Sequence, residues 1–478
     1  MGIKTVIFAG LFAFCAIGAL FNPLLGVLGY MAHYITGPDR QWWEKPIQGL
    51  GIRYSYWLVL ATFAGMAINY RRLRFGKAAV SGQEKLLILF LAVIWLVTLL
   101  TPDTVGRYSV VDHPAVKFTK VVIFALILTH VVTDIRKLDY LLWVFVVGTL
   151  ILGLQAYDTP RHSFNSGRLD SVGGPDFSDS NRLGGYLAGA LFVIGVQFVR
   201  SKWIGRAVCF VAGGFAANAI VLTRSRGALL GVAGGGLIAL VISRKEHRLK
   251  IAAGLLAACL GGLYLSDPQF LNRAATINRP EDQRDASAES RLEIWKGGMK
   301  MLMANPLGVG TGNFYQNIGK YAPEHPGRDA HNTFVRCAGE LGFPGLIIFV
   351  ALVLNAFRML RNIIKRAKDL PDEYRHEVTW YGVGMATALG AFLTYGMTGT
   401  LIYTEYLWWM LAMPVCLWRT VENLETDQRL LLSPGGLQKG KKPGPRDNQP
   451  ARGSKRNPLR SPRPGRDFAV RTFQGDDA

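Results

Sequence analysis

The residues able to do chemistry in this sequence are scattered along the chain, yet each stands where an apolar segment is about to begin. Thr223 to Gly231 reads TRSRGALLG, with Arg224 and Arg226 ahead of a hydrophobic run. The positive end of a helix dipole disfavours cations at such a place. A bound anion would relieve both charges, because guanidinium forks and free backbone N–H groups suit phosphate oxygens. Snorkelling toward lipid headgroups is the competing reading. Glu289 to Pro306 reads ESRLEIWKGGMKMLMANP. Ser290 and Glu293 have capping-box spacing, which predicts a helix start with Arg291 in its first turn. Leu292, Trp295, Met299 and Leu302 or Met303 recur at helical period, an apolar stripe for packing over a bundle or lying on a membrane surface.

His331 to Gly345 reads HNTFVRCAGELGFPG. Helical spacing puts Asn332, Arg336 and Glu340 on one face, with Arg336 and Glu340 as an ion pair and His331 pointing elsewhere. Gly342 to Gly345 should break that helix, Pro344 pre-setting the first turn of the next. His331 then sits on a short interfacial helix, and imidazole serves as a base near neutral pH. In GGPDFSDSNRLGGYLA, Gly173 to Ala188, the residues Asp176, Asp179 and Asn181 read as a cation site or as an N-cap arrangement, with the cap preferred. Gly308 to Gly312, GVGTG, is a plain turn rather than a nucleotide loop. The cysteines have no CxxC spacing, so neither a disulfide framework nor a zinc site is expected.

The elements that must hold these residues are membrane helices. The chain is 50% hydrophobic and 18% charged, and its apolar runs have the ~20-residue length that crosses a bilayer. This is an all-α polytopic membrane protein of about twelve spans. Residues 1–266 carry helices one to nine, 267–340 a large outer loop with short helices, 341–419 the last three helices, and 420–478 a basic tail. The first run, Thr5 to Tyr34, contains Asn22-Pro23 and breaks into half-helices within one span; a hairpin is the less favoured alternative. RRLRFGK, DIRK, RSKWIGR, SRKEHRLK and RMLRNIIKRAK then fall on one side, which makes it cytoplasmic with both termini inside. The Pro-, Gly-, Lys- and Arg-rich tail reads as disordered chain beside anionic lipid rather than a nucleic-acid binder. Among function classes, a solute transporter would need ionisable groups at mid-membrane depth, whereas these cluster at the outer ends of spans.

Assembled in this order, the residues resemble the O-antigen ligase and polymerase superfamily of bacterial inner-membrane proteins. His331-Asn332, nine residues, then Gly342-Phe343-Pro344-Gly345 fits that family's H[NSQ]-x9-G-x-x-G pattern. Arg226 to Leu230 fits its R-x3-L, and Arg291 with Trp295 resembles its SRLxxW-like segment. The resemblance covers about residues 160 to 420. It implies a GT-C-like fold and metal-independent, cofactor-free, inverting transfer of a glycan from an undecaprenyl-diphosphate carrier to an acceptor hydroxyl on lipid A-core, another glycolipid or a protein. Arg224, Arg226 and Arg291 would bind the diphosphate and His331 would serve as base, at a periplasmic site. Asn332, Arg336, Glu340, Trp295 and Asn181 would support them. A lipid-linked glycan polymerase and a protein O-oligosaccharyltransferase are the alternatives inside the superfamily.

Overall fold

In the computed structural model the helices follow the apolar runs. The described residues are 2–41, 43–48, 51–74, 78–101, 108–177, 179–243, 245–265 and 286–432. The first part of the large loop (266–285) and the tail from 433 onward lie outside them. Residues through Arg429 form one compact unit, and the description concerns that unit. Its long helices are α1 (Ile3–Phe21), α2 (Pro23–Thr36), α3 (Tyr54–Ile68), α4 (Gly82–Leu100), α5 (Pro114–Val131), α6 (Ile135–Asp158) and α7 (Ser180–Arg200). They continue as α8 (Trp203–Thr223), α9 (Arg226–Ile242), α10 (Lys245–Leu265), α11 (Ala286–Ala304), α12 (Thr333–Arg366), α13 (Asp372–Gly396) and α14 (Glu405–Leu432). Among the described residues seven of these helices are long and apolar enough to cross a membrane, with α3 and α9 as shorter apolar helices. The protein is all-α and polytopic.

The first run corrects one expectation. A Cβ on Gly18 would meet Leu25, one on Gly26 would meet Ala19, and one on Gly29 would meet Cys15. Those pairings require α1 and α2 to run antiparallel, as a hairpin about Asn22, rather than as halves of one span. Asn22 is extended and its side chain accepts from the Leu24 N–H at 3.2 Å, with Pro23 opening α2. Small residues let the two backbones approach, the usual device for helix contact in lipid. RRLRFGK nevertheless stays with the other basic loops, because the hairpin begins on the opposite face: Thr5 hydrogen-bonds the Trp43 carbonyl, and Tyr34, near the end of α2, reaches Asp176. The start of α1 therefore lies at the end of this hairpin opposite the face where Arg74 meets Asp427.

The basic face is laced by ion pairs between its loops. Arg200 bridges Asp139 and Glu377 at 2.8 and 2.6 Å, Arg366 grips Glu425, and Arg74 meets Asp427. A buried pair, Arg419 with Glu84 at 2.9 Å, sits just inside. These contacts carry α14 past Arg419 as helix to Leu432, so the expected tail begins later than residue 420.

On the other face, α11 and the residues after it build a small second core from Ile294, Met301, Phe314, Ile318, Ala322 and Ala330. Helix α11 is already under way at Ala286, before Ser290, and Glu293 pairs with His325 at 2.6 Å. Its buried face also differs from the expected stripe. Ile294, Met301 and Leu302 face inward, while Leu292, Met299 and Met303 stand exposed.

Helix α12 breaks where the sequence predicts. Gly342 has φ 65°, ψ −164°, a region only glycine occupies without strain. The GVGTG segment is more than a turn: it crosses this break. The N–H groups of Val309 and Gly310 donate to the Gly339 and Glu340 carbonyls at 3.0 and 3.1 Å, and the Phe343 N–H donates to Pro306 at 2.9 Å. Gly308 and Gly342 face each other backbone to backbone, with no room for a Cβ on either. Gly342→Ala should therefore lose about 1–3 kcal/mol of stability, read from the unfolding midpoint in detergent; an unshifted midpoint contradicts this account.

Candidate active site

Three helix starts meet on the face opposite the basic loops. Asp179 caps α7, its carboxylate accepting from the Asn181 and Arg182 N–H groups at 2.7 and 3.2 Å. This is the N-cap reading of that segment. Asp176 turns elsewhere, to Lys117 at 2.5 Å, Tyr34 and the Glu405 N–H. Ser225 caps α9 by accepting from Ala228 and donates its hydroxyl to Asn181 Oδ1 at 3.2 Å. Arg168 donates to the same oxygen at 2.6 Å and to the Thr223 carbonyl at 2.9 Å. Asn181 thus ties α7 to the corner between α8 and α9. In that corner Arg224 has φ 48° and closes α8, while Arg226 opens α9. Arg224 is therefore a helix C-cap, where the dipole favours a cation, and only Arg226 stands at an N-terminus as expected.

Asn332 caps α12, accepting from the Phe334 and Val335 N–H groups at 2.9 and 3.1 Å, and donates to the Met397 carbonyl at 3.1 Å. With its amide so engaged, Asn332 aligns α12 against the end of α13. Directly before it, His331 holds φ 43°, a left-handed conformation uncommon outside glycine. Trp295 Nε1 donates to the Ala330 carbonyl at 2.7 Å and fixes the residue preceding His331. Arg291 lies one turn before Trp295, in the second turn of α11 rather than the first, and within electrostatic reach of His331.

Below His331, Arg336 and Glu340 form the expected pair at 2.9 Å, both buried. Arg336 also donates to Tyr315 at 2.9 Å and Asp329 at 3.2 Å. Glu340 accepts from Tyr403 at 2.5 Å and from the Phe314 N–H. This network is closed and points away from solvent, so it sets the shape of the site's floor. Asp329 leaves it by one oxygen, which lies 3.9 Å from His331 Nδ1. Burial pushes the His331 imidazole below its ordinary 6.5; the Asp329 carboxylate opposes that shift and Arg291 reinforces it.

The O-antigen ligase family model matches residues 208–350. Those residues form an O-antigen ligase family domain. It contains the α8–α9 corner, α11 and the first half of α12, hence Arg224, Arg226, Arg291, His331, Arg336 and Glu340. Activity on lipid-linked glycans, of ligase or polymerase type, is what the family carries. No curated protein matches the chain.

Two residues beside this site lie outside that domain and are not singled out by the sequence. Arg182, in the first turn of α7, is within electrostatic reach of Tyr315, His331, Tyr395 and Tyr406. Tyr395 is 1% exposed and its hydroxyl has no hydrogen-bond partner among the described residues. Its ring packs where Gly185, Gly227 and Gly399 leave room, and Gly227 directly follows Arg226. Arg182 was legible only as the neighbour of a capping Asp, and Tyr395 as one more aromatic in a span.

Proposed function

We propose that the protein transfers a glycan from an undecaprenyl-diphosphate carrier to an acceptor hydroxyl at a periplasmic site of the bacterial inner membrane. The observation that carries this reading is the meeting of Arg291, Arg182 and His331 in one electrostatic neighbourhood, beside three helix starts. Helix N-termini and guanidinium groups together favour phosphate oxygens. His331, kept neutral, would take the proton of the acceptor hydroxyl as its oxygen attacks the sugar's anomeric carbon. The bond from that carbon to the diphosphate oxygen breaks, with inversion, and negative charge gathers on the leaving diphosphate. Arg226, Arg291 and Arg182 would meet that charge where it develops, Arg224 standing further back at its helix end.

The stripe left exposed on α11 supports a lipid substrate. Leu292, Trp295, Met299 and Met303 line an open apolar groove of about 920 Å³, with Lys296 and Lys300 on it. An isoprenoid chain would lie there with its diphosphate toward Arg291. The ligase reading is favoured over the polymerase and protein-acceptor readings by the His331-to-Gly345 pattern. The test is release of undecaprenyl diphosphate by purified protein given a lipid-linked oligosaccharide and candidate acceptors. Release without an acceptor requirement, or none with any acceptor, overturns the proposal.

A pH profile adds a second check. A base with a depressed pKa is neutral above it and lost as pH falls through it. The midpoint of the acid limb should therefore lie below pH 6.5, and Arg291→Gln should move that acid limb upward. An acid limb above 6.5 in the unaltered protein would contradict His331 as the base.

A further inference from the structure

We infer that the protein has a second phosphate site, on the basic face and away from the transfer site, between the end of α9 and the start of α13. A cavity of about 180 Å³ opens there, lined by Ser243, His247, Asp372, Arg375, His376 and Trp380 among others. A single water needs only ~10–15 Å³ of such space, so a phosphate group with waters fits.

Two of the residues that line this cavity carry a buried donor without a hydrogen-bond partner among the described residues. Ser243, the C-cap of α9, is 6% exposed, and its buried hydroxyl makes no hydrogen bond among the described residues. The Arg375 side chain is 42% exposed, but its Nε atom is buried and unbonded among the described residues, while the same guanidinium donates to the Leu370 carbonyl at 3.2 Å and pairs with Asp372 at 2.6 Å. Buried donors left unsatisfied are costly, and two lining one cavity point to a ligand that supplies acceptors. The imidazole of His376 accepts from Trp380 Nε1 at 2.9 Å, so the neutral ring carries its proton on Nδ1. The His247 ring lies 5.2 Å from that of Trp380 and completes the wall.

The ligand that answers this donor set is a phosphate. It offers acceptors to a hydroxyl and a guanidinium edge at once, and the surrounding loops SRKEHRLK and RMLRNIIKRAK add positive field. Among the described residues lining the cavity Asp372 is the one carboxylate; its pair with Arg375 would have to open for a phosphate to take its place, toward the solvent where 89% of its side chain already lies. The phosphate could be that of an anionic lipid headgroup or a free ion, since the chemistry is shared.

The experiment uses the full-length protein in a neutral detergent, with binding followed by isothermal titration. The probes are dihexanoyl phosphatidic acid, inorganic phosphate and, as control, dihexanoyl glycerol, which lacks the phosphate. Phosphatidic acid should bind saturably and the control should not. Ser243→Ala should weaken binding about 5-fold, one neutral hydrogen bond, and Arg375→Gln by ~10-fold or more. Equal binding of inorganic phosphate assigns the site to the free ion; binding of phosphatidic acid alone assigns it to a lipid. The proposal fails if neither phosphate binds, or if both variants, with wild-type unfolding midpoints, bind as the unaltered protein does. Ser243→Ala removes one oxygen and guards against misreading a folding defect in Arg375→Gln. The outcome is separate from the glycan-transfer reading, which concerns the other face.

Discussion

His331→Ala, Arg291→Ala and Arg226→Ala should each lower turnover at least ~100-fold, the lower end for losing a donor that stabilises transition-state charge. Arg182→Ala should fall in the same range, because Arg182 lies in the same field as Arg291 around His331. The measurement is single-turnover release of undecaprenyl diphosphate with saturating donor. The pattern among variants matters as much as the size of the loss. Arginines that meet charge on the leaving group should lower the rate more than the apparent donor affinity. His331→Ala should also lose the acid limb of the pH profile, since no base remains to be protonated. Unchanged turnover in all four folded variants would falsify the mechanism.

Glu340→Ala should cost stability on the order of 3–5 kcal/mol, the penalty for breaking a buried ion pair by removing one partner. Both groups are shielded, Arg336 being 6% exposed and Glu340 0%, and Glu340 also takes hydrogen bonds from Tyr403 and Phe314. Asp329 and Tyr315 remain to hold Arg336, which places the expected value at the lower end. Pairing Arg336→Met with Glu340→Leu should recover part of the loss, because the guanidinium is no longer buried without Glu340, while Asp329, which also pairs with Arg336, keeps the recovery incomplete. Chemical denaturation in detergent reads both results. Glu340→Ala that keeps its stability but loses turnover would move Glu340 from floor to chemistry.

Much of this site was legible because its signals are local. His331, Asn332 and the Gly342 break follow from spacing along one helix, and the Arg336–Glu340 pair follows from helical period. The parts that escaped depend on contacts between distant segments. Arg182 gains meaning only when α7 is pinned to the α8–α9 corner by Arg168 and Ser225 through Asn181. Asp329 needs Arg336 and Thr400 to aim it at His331. Hydropathy alone cannot separate one long span from a tight hairpin, so the α1–α2 turn was misjudged. The stripe on α11 was misread for a related reason. Gly297 and Gly298 are buried, yet glycine adds nothing to apolar periodicity, so the truly buried face was invisible and the exposed one looked like packing.

The crossing of Gly308 over Gly342 has a consequence for how this protein can diversify. His331 is indexed to the bundle by a clasp made entirely within residues 305–343, together with the Asn332–Met397 bond. Nothing in that clasp depends on the length of chain between α10 and α11. Insertions there cost little closure entropy, which grows only with the logarithm of loop length. Changes in the length of that segment would leave the histidine in its place. Modularity of this kind separates the frame that positions His331 from the chain that precedes it, so that one can vary without the other being rebuilt.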